Sequence, residues 1–138
     1  MKLNTMAAVM EFVTTLETDT AAFYTENANK FSDLADLFNT WAKENKRFEK
    51  QVKQTYFGVI TDTLESNYCF EGLDTDDFGL DLSAPADGAD AKAKAKAVEA
   101  NVQRFYETAG GCSEGLMADV PRLFMKIAKK RQERTGKL

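Results

Sequence analysis

Between residues 5 and 31 the chain returns every three or four positions to one face, through Met6, Met10, Val13, Glu17, Thr20, Tyr24 and Phe31. That period predicts an amphipathic helix. Ser32, a good N-cap, and Asp33, which suits the positive end of a helix dipole, predict that a second helix starts at once. It spans about 33–66 and turns Leu34, Phe38, Trp41, Asn45, Phe48, Val52 and Tyr56 inward, with Gly58 its weak point. From Tyr68 to Asp90 the pattern dissolves into a stretch with a Ser-Ala-Pro turn signal and six aspartates but no Lys or Arg, which predicts a solvated crossover over 67–89. Helical signal resumes in an alanine-rich segment, about 90–109, with Ala95, Glu99, Val102 and Tyr106 on one face, and stops at Gly110 and Gly111. A last helix, about 116–135, takes Asp119 as its cap and Pro121 in its first turn, and aligns Val120, Phe124, Ile127, Arg131 and Arg134.

Two helical hairpins joined by one long connection predict an all-α four-helix bundle occupying 1–138 as a single domain. A connection of that length is unusual, but a bundle whose second and third helices run parallel requires one. The aromatic residues Phe38, Trp41, Phe48, Phe105 and Phe124 read as core filling.

Length and composition fit this picture. A chain of 138 residues, 43% hydrophobic and 29% charged, can bury a core without metal or disulfide staples. The net charge of -4 argues against nucleic acid, and the basic run from Lys126 to Lys137 reads as a solvated helix face. There is no apolar run of about 18 residues and no signal-peptide core, so the expected location is the cytoplasm, away from membranes. Cys69 and Cys112 form no CxxC pair and read as free thiols.

The anomaly is polar. Glu17 and Glu99 lie 82 residues apart, each on an otherwise apolar stripe and each seven residues before a tyrosine, Tyr24 or Tyr106. One reading puts Glu17 at the edge of its stripe, partly exposed, with Leu16 packing in its stead; the recurrence at Glu99 favours burial. Leu37, Phe38 and Ala42 repeat as Leu123, Phe124 and Ala128. On these residues the chain resembles the ferritin-like superfamily, in particular rubrerythrin-like domains, over roughly 5–60 and 92–135.

That resemblance implies a di-iron centre between the helices, held by one Glu from each of two helices and a Glu-x-x-His from each of the others. Glu17 and Glu99 match the first kind. Alignment on the repeated pattern puts the other positions at Asn45 and Phe48, and at Arg131 and Arg134, all four of which depart from the motif. The chain contains no histidine. Phe48 offers no lone pair, Asn45 is a weak ligand and a permanently protonated arginine repels a cation.

A carboxylate in a dry interior needs a metal or an opposing charge with hydrogen bonds. The expectation is therefore that Arg131 and Arg134 neutralise Glu17 and Glu99, with Asn45, Tyr24 and Tyr106 as supporting polar groups. No cofactor is expected. The alternative keeps iron, in an oxidoreductase or metal-binding protein with an improvised set of Glu17, Glu44, Glu99 and Glu133. Glu44 and Glu133 lie one residue out of frame, about 100° around their helices, and would need a rotated helix.

Other motifs carry less. "DTDDFG" matches a calcium loop at its first, third and sixth positions, but Phe78 and Pro85 occupy the fifth and twelfth. Cys112 reads as a loop thiol without an imidazole to activate it. The rubredoxin-like cysteine ligands of full-length rubrerythrins are absent, so any redox cycle would need an outside donor. The functional expectation is a metal-free binding or assembly module without catalytic activity, and the resemblance implies a homodimer.

Overall fold

The computed structural model describes residues 1–63, 72–113 and 119–138, and within 59–63 the backbone alone. Four α-helices dominate: α1 (Met6–Lys30), α2 (Ala35–Thr63), α3 (Gly88–Cys112) and α4 (Asp119–Gly136). Among the described residues there is no β-strand, only an isolated bridge between Lys2 and Asp74. No described helix is long and apolar enough to cross a membrane.

The helix ends follow local chemistry. The Thr5 side chain accepts the Ala8 amide at 3.1 Å, capping α1. Asp87 accepts the Asp90 amide at 2.8 Å while Asp90 accepts the Ala86 amide at 2.8 Å, a reciprocal cap that starts α3 slightly earlier than periodicity predicted. Three boundaries differ from expectation. A 3-10 turn, Ser32–Leu34, precedes α2, and Phe31 serves as the extended residue between helices. The helix α3 continues through Gly110 and Gly111 to Cys112, with Gly110 buried against Phe124 and Met125 of α4 while Gly111 stays exposed. Asp119 already has helical backbone within α4, so it is not the cap. The expected end of the second helix, Cys69 and the expected start of the fourth helix at 116 lie outside the described residues.

Two apolar clusters fill the interior. One gathers Val9, Val13 and Leu16 with Phe48, Val52, Val102, Phe105, Phe124 and Ile127; the other gathers Phe23 and Tyr24 with Leu34, Phe38, Trp41, Ala91 and Ala95. The helix α1 runs from the first cluster to the second, and α2 and α3 each run back. Thus α1 and α2 are antiparallel, while α2 and α3 point the same way. The helices pair as α1 on α2 and α3 on α4, with further contact of α2 on α4 and α1 on α3.

The crossover departs from the solvated loop that its aspartates predicted. Its 3-10 turn, Thr75–Phe78, is held by two buried anchors, Leu73 just before it and Phe78 at its end. The Leu3 amide donates to the Leu73 carbonyl at 2.8 Å, and Leu3 is itself buried. From α3, Arg104 lies 5.1 Å over the Phe78 ring and Asn101 donates to the Gly79 carbonyl at 3.0 Å. Asp76, Asp77, Asp81 and Asp87 face out, and the buried Leu73 and Phe78 hold the segment down.

Candidate functional site

Between the two apolar clusters lies a charged layer to which every helix contributes. On each helix the sequence itself places it there: Glu17 and Thr20 separate Leu16 from Ala21, Asn45 separates Ala42 from Phe48, Glu99 follows Ala95 by one turn, and Arg131 and Arg134 follow Ile127 and Ala128. Glu17, Asn45, Glu99, Arg131 and Arg134 are all buried, with Glu99 and Arg131 at 0% exposure.

Arg131 is the hub. Its Nη1 donates to Glu99 Oε2 at 2.8 Å and to Oε1 at 3.1 Å, and its Nη2 donates to Glu17 Oε1. One guanidinium thus bridges two carboxylates from α1 and α3 instead of forking onto one. The tyrosines cross over: Tyr24 donates to Glu99 Oε2, and Tyr106 donates to Glu17 Oε1 at 3.0 Å. Each repeat's tyrosine serves the other repeat's glutamate.

Arg134 keeps a long ion pair to Glu99, as expected, and adds a closer partner that was not. Its Nε and Nη2 donate to Glu44 Oε1 at 3.1 and 2.7 Å, its Nη1 donates to Asn45 Oδ1 at 2.8 Å, and only the outer limit of that Nη1, 3.5 Å, reaches Glu99. Glu44 needs no rotated helix to join, because the arginine side chain is long enough to go to it. Asn45 completes its amide by donating to Thr20 Oγ1 at 2.8 Å. Phe48, where the resemblance implies a ligand histidine, offers its ring to both guanidiniums, each 5.4 Å from its centroid. Trp41 faces Arg134 at 5.2 Å. Aromatic faces attract weakly hydrated guanidinium ions, so these rings act as part of the cation's shell.

The electrostatics are uneven. Burial alone would pull the Arg131 pKa down, but the Glu17 and Glu99 carboxylates outweigh it and raise it. Glu17 moves the other way for a carboxylate: dehydration raises its pKa against the pull of Arg131. Arg131 faces two anions, whereas Glu17 shares that cation with Glu99, so the attraction does not offset its dehydration. Glu17 Oε2 has no hydrogen-bond partner among the described residues, and neither has Arg131 Nε. Burial, reinforced by the facing carboxylate, lifts Tyr24 and Tyr106 well above the ordinary phenol value. Both therefore act as hydrogen-bond donors and not as proton-transfer groups near neutrality.

The residues present do not fit a di-iron centre. Guanidinium nitrogens occupy the carboxylate edges that a metal would need, and arginine has no lone pair to give. Glu133, the fourth carboxylate of the alternative set, is exposed on α4, one residue beyond the buried stripe. Among the described residues no group of three or more Asp, Glu or Cys side chains is arranged to hold a metal ion. The other sequence candidates separate from the cluster: Asp74 and Asp76 belong to the 3-10 turn and its cap, and Cys112 ends α3, half-buried, where dehydration pushes its thiol pKa up, instead of lying in a loop.

Sequence reading missed Glu44 as an arginine partner, and Thr20 as the acceptor for Asn45. No periodic signal marked Glu44, which stands off the inward stripe of α2 and is reached only by the long Arg134 side chain. No family model, no curated protein and no solved structure matches this chain.

Proposed function

We propose that this chain is a ferritin-like, rubrerythrin-like four-helix bundle in which an ion-pair cluster has replaced a di-iron centre, and that it serves as a metal-free binding or assembly module, paired as a homodimer. The observation that carries this reading is Arg131, whose guanidinium sits between Glu17 and Glu99 where the resemblance implies metal. The opposed helix directions and the crossed tyrosines support the same frame, because they relate α1 to α3 as two copies of one unit.

A cluster of this kind suits a scaffold better than a reaction centre. Its central groups are closed to solvent, its cations cannot give up protons at ordinary pH, and its tyrosines are held neutral. Desolvation offsets much of the attraction in such a cluster, so its benefit lies in fixing which helix faces meet.

Elemental analysis of protein purified from iron-supplemented cells tests the metal-free reading. We expect metal far below one ion per chain and no near-ultraviolet oxo-iron band. About two ions per chain, the content of a di-iron centre, would overturn it. Light scattering on the same sample tests the dimer, and a monomer at all concentrations would remove that part.

A further inference from the structure

A shallow groove of about 110 Å³ runs between α2 and α4, lined by Glu44, Arg47, Phe48, Gln51, Lys126 and Lys130. We infer that this groove binds a small dianionic oxyanion of the phosphate type. The inference gives the binding role proposed above a ligand, and it rests on that reading.

Three cations meet here. Arg47 and Gln51 stand one turn apart on α2, as do Lys126 and Lys130 on α4, so two rows flank the groove. Arg47 and Lys126 are exposed and Lys130 is half-buried. None of the three takes an ion-pair or hydrogen-bond partner among the described residues. The one acid in the lining, Glu44, is already committed, because Arg134 grips its Oε1 with two nitrogens.

Like charges held side by side repel, and an anion between them relieves that repulsion. This positive site lies on a chain whose net charge is -4, so it does not merely reflect the overall charge. Arg47 supplies a planar fork for two oxygens, the lysines supply mobile point charges and Gln51 supplies an amide donor. A charge of about two on the ligand balances most of three cations. The volume is well above the ~10–15 Å³ that one water needs, yet too small for a polymer, and the net negative charge opposes a long polyanion.

The floor of the groove joins the buried cluster. Phe48 faces both guanidiniums and Glu44 holds Arg134, so a bound anion secures the α2–α4 contact directly above the ion pairs. Ligand held only by the folded state also raises stability by mass action.

Amide NMR of the full chain, titrated with inorganic phosphate against sodium chloride at matched ionic strength, tests this. We expect saturable shifts centred on 44–51 and 126–130, and a Lys126→Gln/Lys130→Gln variant that binds at least tenfold more weakly while melting like the parent. Arg47→Gln, tested alone, should also weaken binding. Glycerol phosphate separates the sources: equal binding assigns the phosphate group on any small carrier, and binding of inorganic phosphate alone assigns the free ion. Linear shifts shared with chloride, an unaffected double variant, or tighter binding of an oligonucleotide would overturn the inference. Metal content, measured separately, decides the metal-free reading, so the two failures are distinguishable.

Discussion

Arg131 answers for two carboxylates, and Glu17 receives the smaller share. Removing the cation, as in Arg131→Met, leaves both glutamates buried with little compensation, and losses of about 3–5 kcal/mol are usual for a broken buried pair. We expect Arg131→Met to approach that range in urea melts. Glu17→Gln should cost less, because its raised pKa shows that the ionised form is already strained. An apolar replacement of the whole set, with both tyrosines changed to phenylalanine, should cost far less than the summed singles. Singles that melt like the parent would contradict the pairing.

The same group governs a pH response. Glu17 holds its proton more tightly folded than at its ordinary value of 4.5. Its contribution to stability is therefore full below about pH 4.5 and is lost as pH rises through the folded pKa. Melts from pH 4 to pH 8 should show this decline in the parent, and Glu17→Gln should flatten it. Glu17, Glu99, Arg131 and Arg134 were visible in the sequence because a charge on an apolar stripe breaks a period. Glu44 was not, since it stands off the stripe and only the reach of Arg134 brings it in. Nor could spacing tell whether Tyr24 would serve Glu17 on its own helix or Glu99 on another.

Helix α3 shows how packing overrides local preference. Two adjacent glycines predicted a stop, yet the helix runs on past them. A Cβ on Gly111 would meet nothing within 4 Å, so Gly111→Ala should stabilise the protein by about 0.5–1 kcal/mol through helix propensity alone. A Cβ on Gly110 would lie 2.9 Å from Met125 Sδ, which must swing aside. Because Met125 is largely exposed, that shift is feasible, and Gly110→Ala should gain less than Gly111→Ala in thermal melts. The crossover gives the opposite lesson. Phe78 stands on one apolar position among aspartates, too little for periodicity to register, but it is buried against Phe105. Phe78→Ala should cost about 3–5 kcal/mol in the same measurement, and a change near zero would return the segment to a solvated loop.

Across the molecule, the charged layer divides one apolar cluster from the other, and all four helices must arrive in register for it to close. The proposed ferritin-like frame makes a constructive prediction. Restoring the implied ligands through Asn45→Glu, Phe48→His, Arg131→Glu and Arg134→His should yield a helical protein that binds about two divalent ions per chain. Calorimetric titration with ferrous or cobaltous ion would measure it. A variant that folds, as judged by circular dichroism, yet binds no metal would count against the frame.

Periodicity and charge content were enough to establish four helices, their inward faces and the four misplaced charges, because each is a local property of residues three or four apart. The partner of each charge was decided in three dimensions. Which tyrosine reaches which glutamate, why Glu44 takes Arg134, and how Phe78 closes the crossover all depend on the distance between elements remote in the chain. Side-chain length and helix approach set those distances, and neither is written in the spacing of residues along one helix.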